Sequence, residues 1–259
     1  MNLAFFKKME GKFRKHSSPS LQTGNKPLLS NFVDYGKIKH KKALDIACGT
    51  GFITAELAKH GADVTGIDLT QYATDATNKN LEVRKLNGKA IKMDAQNLKF
   101  DNGTFNVVTA HGCLMHMPDT EKAIKEINRV LMKKGMVYAW MYHKGWYYYF
   151  NVMLVRGILM GGFFKYGFNM VKLTSRFSDG AHVGGNPLTK FYSKKQFKKM
   201  FGDAGFKNVK VTINYQPAEF DVWPLKPVPI GKYILPGFLR KFMSQKLGFG
   251  YSCTITAVK

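Results

Sequence analysis

The chain of 259 residues has few cysteines. Cys48, Cys113 and Cys253 lie far apart and form no CxxC pair, which excludes a disulfide scaffold and a cysteine-based zinc site. We therefore expect reduced thiols, no bound metal and a cytoplasmic location, with peripheral contact at the inner membrane face left open. The hydrophobic content of 45% excludes a disordered chain, and the length suits one large domain with additions.

Acidic residues are also scarce, since 17 Asp and Glu stand against 40 Lys and Arg, for a net charge of +23. Residues 1–42 contribute +8 (ten basic, two acidic), residues 43–143 contribute +1 (twelve, eleven), and residues 144–259 contribute +14 (eighteen, four). A basic surface favours polyanions. Anionic membrane lipid and nucleic acid are therefore both open as partners.

The sequence lacks an uninterrupted apolar run of membrane-spanning length. Gly145–Phe164 is long enough, but Arg156 interrupts it, and we interpret the segment as a lid or an interfacial segment. No small-residue cleavage site follows the short apolar run near the start, so we expect no secretory signal peptide. Residues 1–18 form a basic amphipathic pattern, suited either to a membrane surface or to packing on the domain.

Strand and helix patterns alternate after this arm. The predicted strands are residues 43–47, 62–68, 90–93, 105–110, 136–141, 209–214 and 252–258. The predicted helices are residues 52–60 and 70–84, one opened by Pro118 and Asp119, and one opened by a capping box at Ser193–Gln196. This order predicts an α/β fold with a doubly wound, mostly parallel seven-stranded sheet and an antiparallel edge pair.

This pattern divides the chain into four expected parts. We expect a basic N-terminal arm with helices over residues 1–42 and a cofactor-binding core over residues 43–143. An aromatic lid or insertion is expected over residues 144–192. Residues 193–259 would complete the sheet, with a cap loop at 218–250.

The segment ALDIACGTGF, residues 43–52, joins the first strand to the first helix. Gly49 and Gly51 allow a ligand to approach the backbone, and the helix behind them presents free N–H groups. Asp68, at the end of the second strand, is placed to accept hydrogen bonds from ribose hydroxyls. Thr54 stands where a dinucleotide-binding fingerprint requires a third glycine.

Residues 41–143 resemble the class I S-adenosylmethionine-dependent methyltransferases, in particular the group of quinone-biosynthesis methyltransferases. LDIACGTG is similar to the family's first motif, with Ala47 where glycine is usual, and residues 92–95 (KMDA), 109–117 (TAHGCLMHM) and 123–139 are similar to later segments. The resemblance implies a Rossmann-like fold, S-adenosylmethionine as the cofactor and methyl transfer as the reaction. The cofactor-binding residues that it implies are Asp45, Ala47, Gly49, Gly51, Asp68, Leu69, Met93, Asp94, Ala95 and His111.

His111 and His116 follow the fourth strand, where the acceptor is expected. A neutral imidazole at this place can line the site or accept a proton during methylation, so both histidines are the catalytic candidates. Methyl transfer from a sulfonium depends mainly on alignment, and a base is not always needed. Asp179 and His182 are two further residues that could reach the acceptor.

The expected cap combines aromatic and basic residues, which suits a small-molecule or lipid-like acceptor taken from an anionic membrane. Our main interpretation is methyl transfer to an oxygen or carbon of a hydrophobic small molecule. The same composition also suits single-stranded nucleic acid, so an RNA methyltransferase is the alternative. A third interpretation is a non-catalytic, cofactor-binding protein attached to a membrane.

Overall fold

The computed structural model describes residues 1–16, 26–177, 187–214 and 236–259. The strands are β1 (Lys42–Ile46), β2 (Asp63–Asp68), β3 (Lys89–Lys92), β4 (Phe105–His111), β5 (Leu131–Tyr142), β6 (Lys207–Asn214) and β7 (Ser252–Val258). The helices in these ranges are α1 (Leu3–His16), α2 (Phe52–Lys59), α3 (Gln71–Val83), α4 (Thr120–Val130), the π-helix π1 (Tyr147–Leu159), α5 (Gly162–Tyr166), α6 (Met170–Phe177), α7 (Lys194–Asp203) and α8 (Gly237–Lys246). Two single 3-10 turns, Tyr35–Lys37 and Leu114–His116, lie between them.

The strands form one sheet in the order β3-β2-β1-β4-β5-β7-β6. β1 to β5 pair in parallel, whereas β7 lies between β5 and β6 and runs antiparallel to both. The central strands β1 and β4 are buried along most of their length, as is typical of a parallel sheet that is covered on both faces. The predicted fold class is thereby confirmed, including the antiparallel edge.

β5 is longer than the predicted strand at residues 136–141 because it begins directly at the end of α4. Leu131 already pairs with Phe105, and the regular register resumes at Met136 after an irregularity. Within that irregularity Lys134 has a φ of 63°. The Lys-Lys-Gly sequence at residues 133–135 therefore forms a bulge inside one strand.

Two predicted helix starts are confirmed. The side chain of Asp119 accepts a hydrogen bond from the backbone N–H of Lys122 at the start of α4. Ser193 and Gln196 form the reciprocal capping box that begins α7. Within the predicted cap loop at 218–250, the described part contains α8, which Pro236 precedes.

The N-terminal arm contains α1, which packs on the domain. Phe6 is fully buried, and Phe13 contacts the rings of Phe52 and His111. Glu10 accepts hydrogen bonds from Arg14 and, at 2.8 Å, from Arg84 after α3. The apolar face of the arm therefore packs on the domain, which is one of the two interpretations that the sequence left open.

The segment after β5 contains π1, α5 and α6, which pack against one another. One face of π1 is buried, with Tyr148, Asn151, Val152 and Val155. In the part of the chain that the structure describes, no helix is long and apolar enough to cross a membrane.

Candidate functional site

The loop between β1 and α2 lies at the carboxyl end of the central strands. Ala47, Gly49 and Gly51 all have positive φ angles, of 56°, 56° and 77°. A side chain at Gly49 would meet almost nothing, whereas one at Gly51 would collide with Thr77 of α3 at 2.8 Å. Gly49 therefore leaves open space beside the backbone, and Gly51 allows α3 to pack closely.

Ala47 occupies a left-handed conformation that favours glycine, and its side chain is exposed. The left-handed backbone conformation thus explains why glycine is usual at this position of the family motif. Alanine therefore carries some backbone strain at this position.

α3 supports the loop from behind through two buried polar side chains. Thr77 donates a hydrogen bond to the carbonyl oxygen of Gly49 at 3.0 Å, and Asn80 donates one to that of Thr50 at 2.9 Å. Asn80 in turn accepts a 2.7 Å bond from Arg84, which also bonds Glu10 of α1. Burial raises the pKa of Glu10, but the bonds from Arg14 and Arg84 bring it below its ordinary value. A continuous path of hydrogen bonds therefore joins the N-terminal helix to the glycine loop.

Asp45 is fully buried beneath this loop. Its two carboxylate oxygens accept hydrogen bonds from Thr54 at 2.6 Å and from Thr109 at 2.8 Å. Burial raises the pKa of Asp45 to about 6, and these two bonds offset part of the rise. Thr54, which breaks the dinucleotide fingerprint, thus has a role of its own as a donor to Asp45.

Changing Asp45 to asparagine is expected to stabilise the free protein at neutral pH. The pKa of about 6 lies above the value of an unfolded aspartate. The contribution of protonated Asp45 to the free energy of unfolding is therefore fully present below about pH 4 and is lost as the pH rises through about 6. At about 1.4 kcal/mol per pH unit, ionising Asp45 costs about 3 kcal/mol, which asparagine would remove.

Urea unfolding of Asp45→Asn and of the unchanged protein, near pH 4 and near pH 7.5, measures this effect. The variant should gain stability only at the higher pH. The same change in unfolding free energy at both pH values would show that Asp45 does not titrate in this window.

Asp68 ends β2 beside the glycine loop. One carboxylate oxygen accepts a 3.2 Å hydrogen bond from the N–H of Gly49, and the other accepts bonds from the N–H and the hydroxyl of Thr70, both at 3.0 Å. The next residue, Leu69, is 66% exposed. An exposed leucine beside a carboxylate offers an apolar surface next to a hydrogen-bond acceptor.

The three predicted residues that follow β3 begin with Met93, which contacts Asp68. The N–H of Met93 donates to the carbonyl oxygen of Asp68 at 2.9 Å. Met93 is half-buried, Ala95 is buried, and the exposed Asp94 accepts a 2.8 Å hydrogen bond from the N–H of Gln96. The fold therefore brings the residues predicted from the first three strands to one edge of the sheet.

This edge fits the cofactor that the sequence resemblance implies. A nucleoside needs an apolar surface for its base and a carboxylate for its ribose hydroxyls, and Leu69 and Asp68 offer these. The open space at Gly49 lets a ligand approach the backbone. The individual contacts remain predictions.

His111 and His116 belong to one cluster of rings. The ring of His111 stacks on Trp140 with centroids 5.1 Å apart, Trp140 contacts Tyr142 at 5.3 Å, and Tyr142 contacts His116 at 5.8 Å. Tyr251 contacts Tyr142 at 4.8 Å. We call these five residues the aromatic cluster.

The two histidines of this cluster differ in environment. Burial lowers the pKa of His111 to about 4, so its ring is neutral at physiological pH. The Nδ1 atom of His116 lies 2.8 Å from the carbonyl oxygen of Leu188 and 3.3 Å from the hydroxyl of Thr189. Because a carbonyl oxygen only accepts, the neutral ring of His116 carries its proton on Nδ1 and keeps a lone pair on Nε2.

A row of buried polar atoms crosses the sheet beside these rings. Eight buried side-chain polar atoms lack a hydrogen-bond partner within the described residues, and five of them lie in this row. These five atoms, which we call the polar row, are His111 Nε2, Trp140 Nε1, Tyr142 Oη, Ser252 Oγ and Asn214 Nδ2. The strand register places His111 beside Trp140, and Ser252 between Tyr142 and Asn214, so all five share one sheet face.

A cavity of about 530 Å³ continues this sheet face toward β6. Asn214 and Thr254 line it, and Thr254 pairs with Trp140 across β5 and β7. The volume is in the range of small-molecule sites. Because Met136 and Tyr138 also line the cavity, it extends from Asn214 and Thr254 toward the amino end of β5, away from the glycine loop.

Sequence reasoning missed Trp140, Tyr142 and Asn214 as site residues. Their strands are buried, and an aromatic residue in a buried strand is normally a core residue. The signal lay in the polar ends of these side chains, which need partners when buried. Asp179 and His182 lie outside the described residues. Within the described ranges no group of three or more His, Cys, Asp or Glu side chains could hold a metal ion.

Comparisons with known proteins agree with this arrangement. Residues 44–139 match the methyltransferase domain family. Over 182 residues the chain is 32% identical to a demethylmenaquinone methyltransferase of Staphylococcus aureus, which covers 69% of this chain and 73% of that protein.

Solved structures share the fold at lower sequence identity. An S-adenosylmethionine-dependent methyltransferase from Methanosarcina mazei is 19% identical with a TM-score of 0.60, covering 92% of this chain and 99% of its own. Another, from Thermotoga maritima, is 16% identical with a TM-score of 0.54, covering 85% of this chain and 82% of its own.

Proposed function

Because the chain belongs to the class I S-adenosylmethionine-dependent methyltransferases, we propose that it methylates an oxygen or carbon of a hydrophobic, hydroxylated aromatic molecule of the quinol type. The cofactor supplies a methyl group on a sulfonium, and its transfer leaves S-adenosylhomocysteine. This acceptor class is more specific than the family, and the observations below support it.

The main observation in support of this acceptor class is the polar row. Buried polar groups without partners cost stability, so they are retained where a ligand completes them. His111 and Tyr142 offer a ring nitrogen and a hydroxyl beside the indole N–H of Trp140. These groups suit the oxygens of a quinol, while the ring faces of the aromatic cluster suit its apolar body.

The position of this row also supports the proposal. It begins at His111, at the end of β4, and Phe13 contacts both His111 and Phe52, the first residue of the helix behind the glycine loop. An acceptor at the aromatic cluster would thus lie under α1, beside the edge of the sheet that carries the glycine loop and Asp68. The rings would exclude water and hold the acceptor in line with the methyl group.

The relative from Staphylococcus aureus supports the acceptor class, since its name states a demethylmenaquinone substrate. On a quinol-like acceptor, His116 Nε2 would take the proton that the acceptor loses. His111 would remain a neutral hydrogen-bonding group, because burial holds its pKa at about 4.

The test is methyl transfer from labelled S-adenosylmethionine by the purified full chain. The acceptors are a reduced short-chain naphthoquinone and the lipid, small-molecule and RNA fractions of a cell extract. We expect label in the quinol and in the organic-soluble fraction. The variant Tyr142→Phe should lower kcat/KM for the quinol about tenfold, the usual effect of one hydrogen bond, without loss of unfolding free energy.

Two results would contradict the proposal. Label in RNA alone would assign the basic surface and the site to nucleic acid. Full activity of Tyr142→Phe on the quinol would remove the polar row from the acceptor site, even if the quinol is methylated.

A further inference from the structure

Large apolar side chains are exposed on the helices that follow β5. The exposed fractions of these side chains run from 39% to 82%. They are Leu154, Ile158, Leu159, Met160, Phe164, Phe168 and Val171. These residues lie on one unit, because π1, α5 and α6 pack against one another and the rings of Phe164 and Phe168 are in contact; we call its exposed apolar side the cap face. Monomeric proteins in water rarely expose so many apolar residues within so short a stretch, so a partner is expected to cover it.

The charge of the cap face is of one sign. No Asp or Glu occurs between Glu126 and Asp179, whereas Lys165 and Lys172 lie among the exposed apolar residues. Neither lysine takes part in an ion pair with the described residues. The surface therefore combines apolar side chains with basic groups, which complements an anionic partner that has an apolar interior.

We propose that the cap face docks on the surface of an anionic lipid bilayer. A lipid surface accommodates both features, since the aliphatic side chains enter the acyl boundary and the lysines meet the headgroups. RNA fits less well, because leucine, isoleucine and methionine offer bases no stacking surface. A second copy of the chain fits less well too, because two basic faces would repel each other.

The same segment connects the cap face to the acceptor site. On the buried side of this segment, Tyr147 contacts Tyr251 at 5.0 Å, and Tyr148 contacts Phe191, which stacks on Tyr142. Docking would therefore bring the bilayer next to the aromatic cluster. This consequence rests on the proposed function, whereas docking itself does not.

Vesicle co-sedimentation of the full chain tests the proposal, with phosphatidylcholine vesicles that contain or lack phosphatidylglycerol. We expect binding to the anionic vesicles. The triple change Ile158→Ser, Leu159→Ser and Phe164→Ser should weaken this binding by about tenfold or more, because three apolar side chains lose their lipid contact. The change Lys165→Glu with Lys172→Glu should weaken it as well, and only on anionic vesicles. S-adenosylmethionine affinity should stay the same in both variants.

The matched control changes three exposed apolar residues of another surface, Phe238→Ser, Phe242→Ser and Leu247→Ser at α8. This control should bind vesicles as the unchanged protein does. Equal loss in the control and the cap-face variant would overturn the assignment. So would a dimer that the cap-face variant converts to a monomer, or RNA binding that this variant loses while vesicle binding persists.

Activity on a soluble quinol separates this inference from the proposed function. Methylation of the soluble quinol without vesicle binding would overturn the docking proposal alone. Vesicle binding through the cap face without methylation of any quinol would support docking and contradict the proposed acceptor.

Discussion

Changing Asp68 to alanine is expected to weaken S-adenosylmethionine binding by about 10- to 100-fold. The carboxylate lies beside the glycine loop, where the family resemblance places the ribose hydroxyls of the cofactor. A hydrogen bond to a charged group is worth about 1.5 to 3 kcal/mol, which corresponds to this loss. Isothermal titration calorimetry with the free protein measures it directly.

The carboxylate of Asp68 also holds the loop, since it accepts hydrogen bonds from Gly49 and Thr70. Asp68→Asn separates the two roles, because an amide oxygen can still accept one of these bonds while the negative charge is lost. We expect an intermediate affinity for this variant. Asp63→Ala is the matched control, since Asp63 is an exposed aspartate at the opposite end of the same strand. Unchanged affinity in Asp68→Ala, or an equal loss in Asp63→Ala, would sink the assignment of the ribose site.

Much of the expected cofactor site could be predicted from the sequence, because its residues lie at or directly after the ends of individual strands. Gly49 and Gly51 follow a strand with a clear apolar pattern and Asp68 ends another, and parallel strands bring their carboxyl ends to one edge. The seven strands and the antiparallel edge follow from the same alternation. Contacts between Thr77 or Asn80 and the glycine loop could not be predicted, because they depend on how α3 packs.

The acceptor side was harder to predict because it depends on register across the sheet. Tyr142, Ser252 and Asn214 are far apart in the chain and meet only because β7 inserts between β5 and β6. An apolar pattern predicts that these strands are buried, but not which polar atoms are left without partners. The amphipathic arm was open to two interpretations for a similar reason, since the sequence shows an apolar face and not what covers it.

Changing His116 to asparagine is expected to lower kcat for quinol methylation by about 100-fold, the lower end of what general base catalysis contributes. The prediction rests on the different surroundings of the two ring nitrogens of His116. Nδ1 faces the carbonyl oxygen of Leu188, so Nε2 keeps the lone pair that can accept a proton. An asparagine amide can replace the Nδ1 donor but offers no basic atom at the place of Nε2, so the fold should keep its stability.

His111→Asn is the matched comparison, because His111 belongs to the same aromatic cluster and stacks on Trp140. Burial lowers the pKa of His111 to about 4, which makes its ring a weak base near neutral pH. We expect His111→Asn to raise KM for the acceptor more than it lowers kcat, since it removes a hydrogen-bonding group and a ring contact. If both variants lower kcat equally, neither histidine is the base, and the aromatic cluster would act by aligning the acceptor with the methyl group.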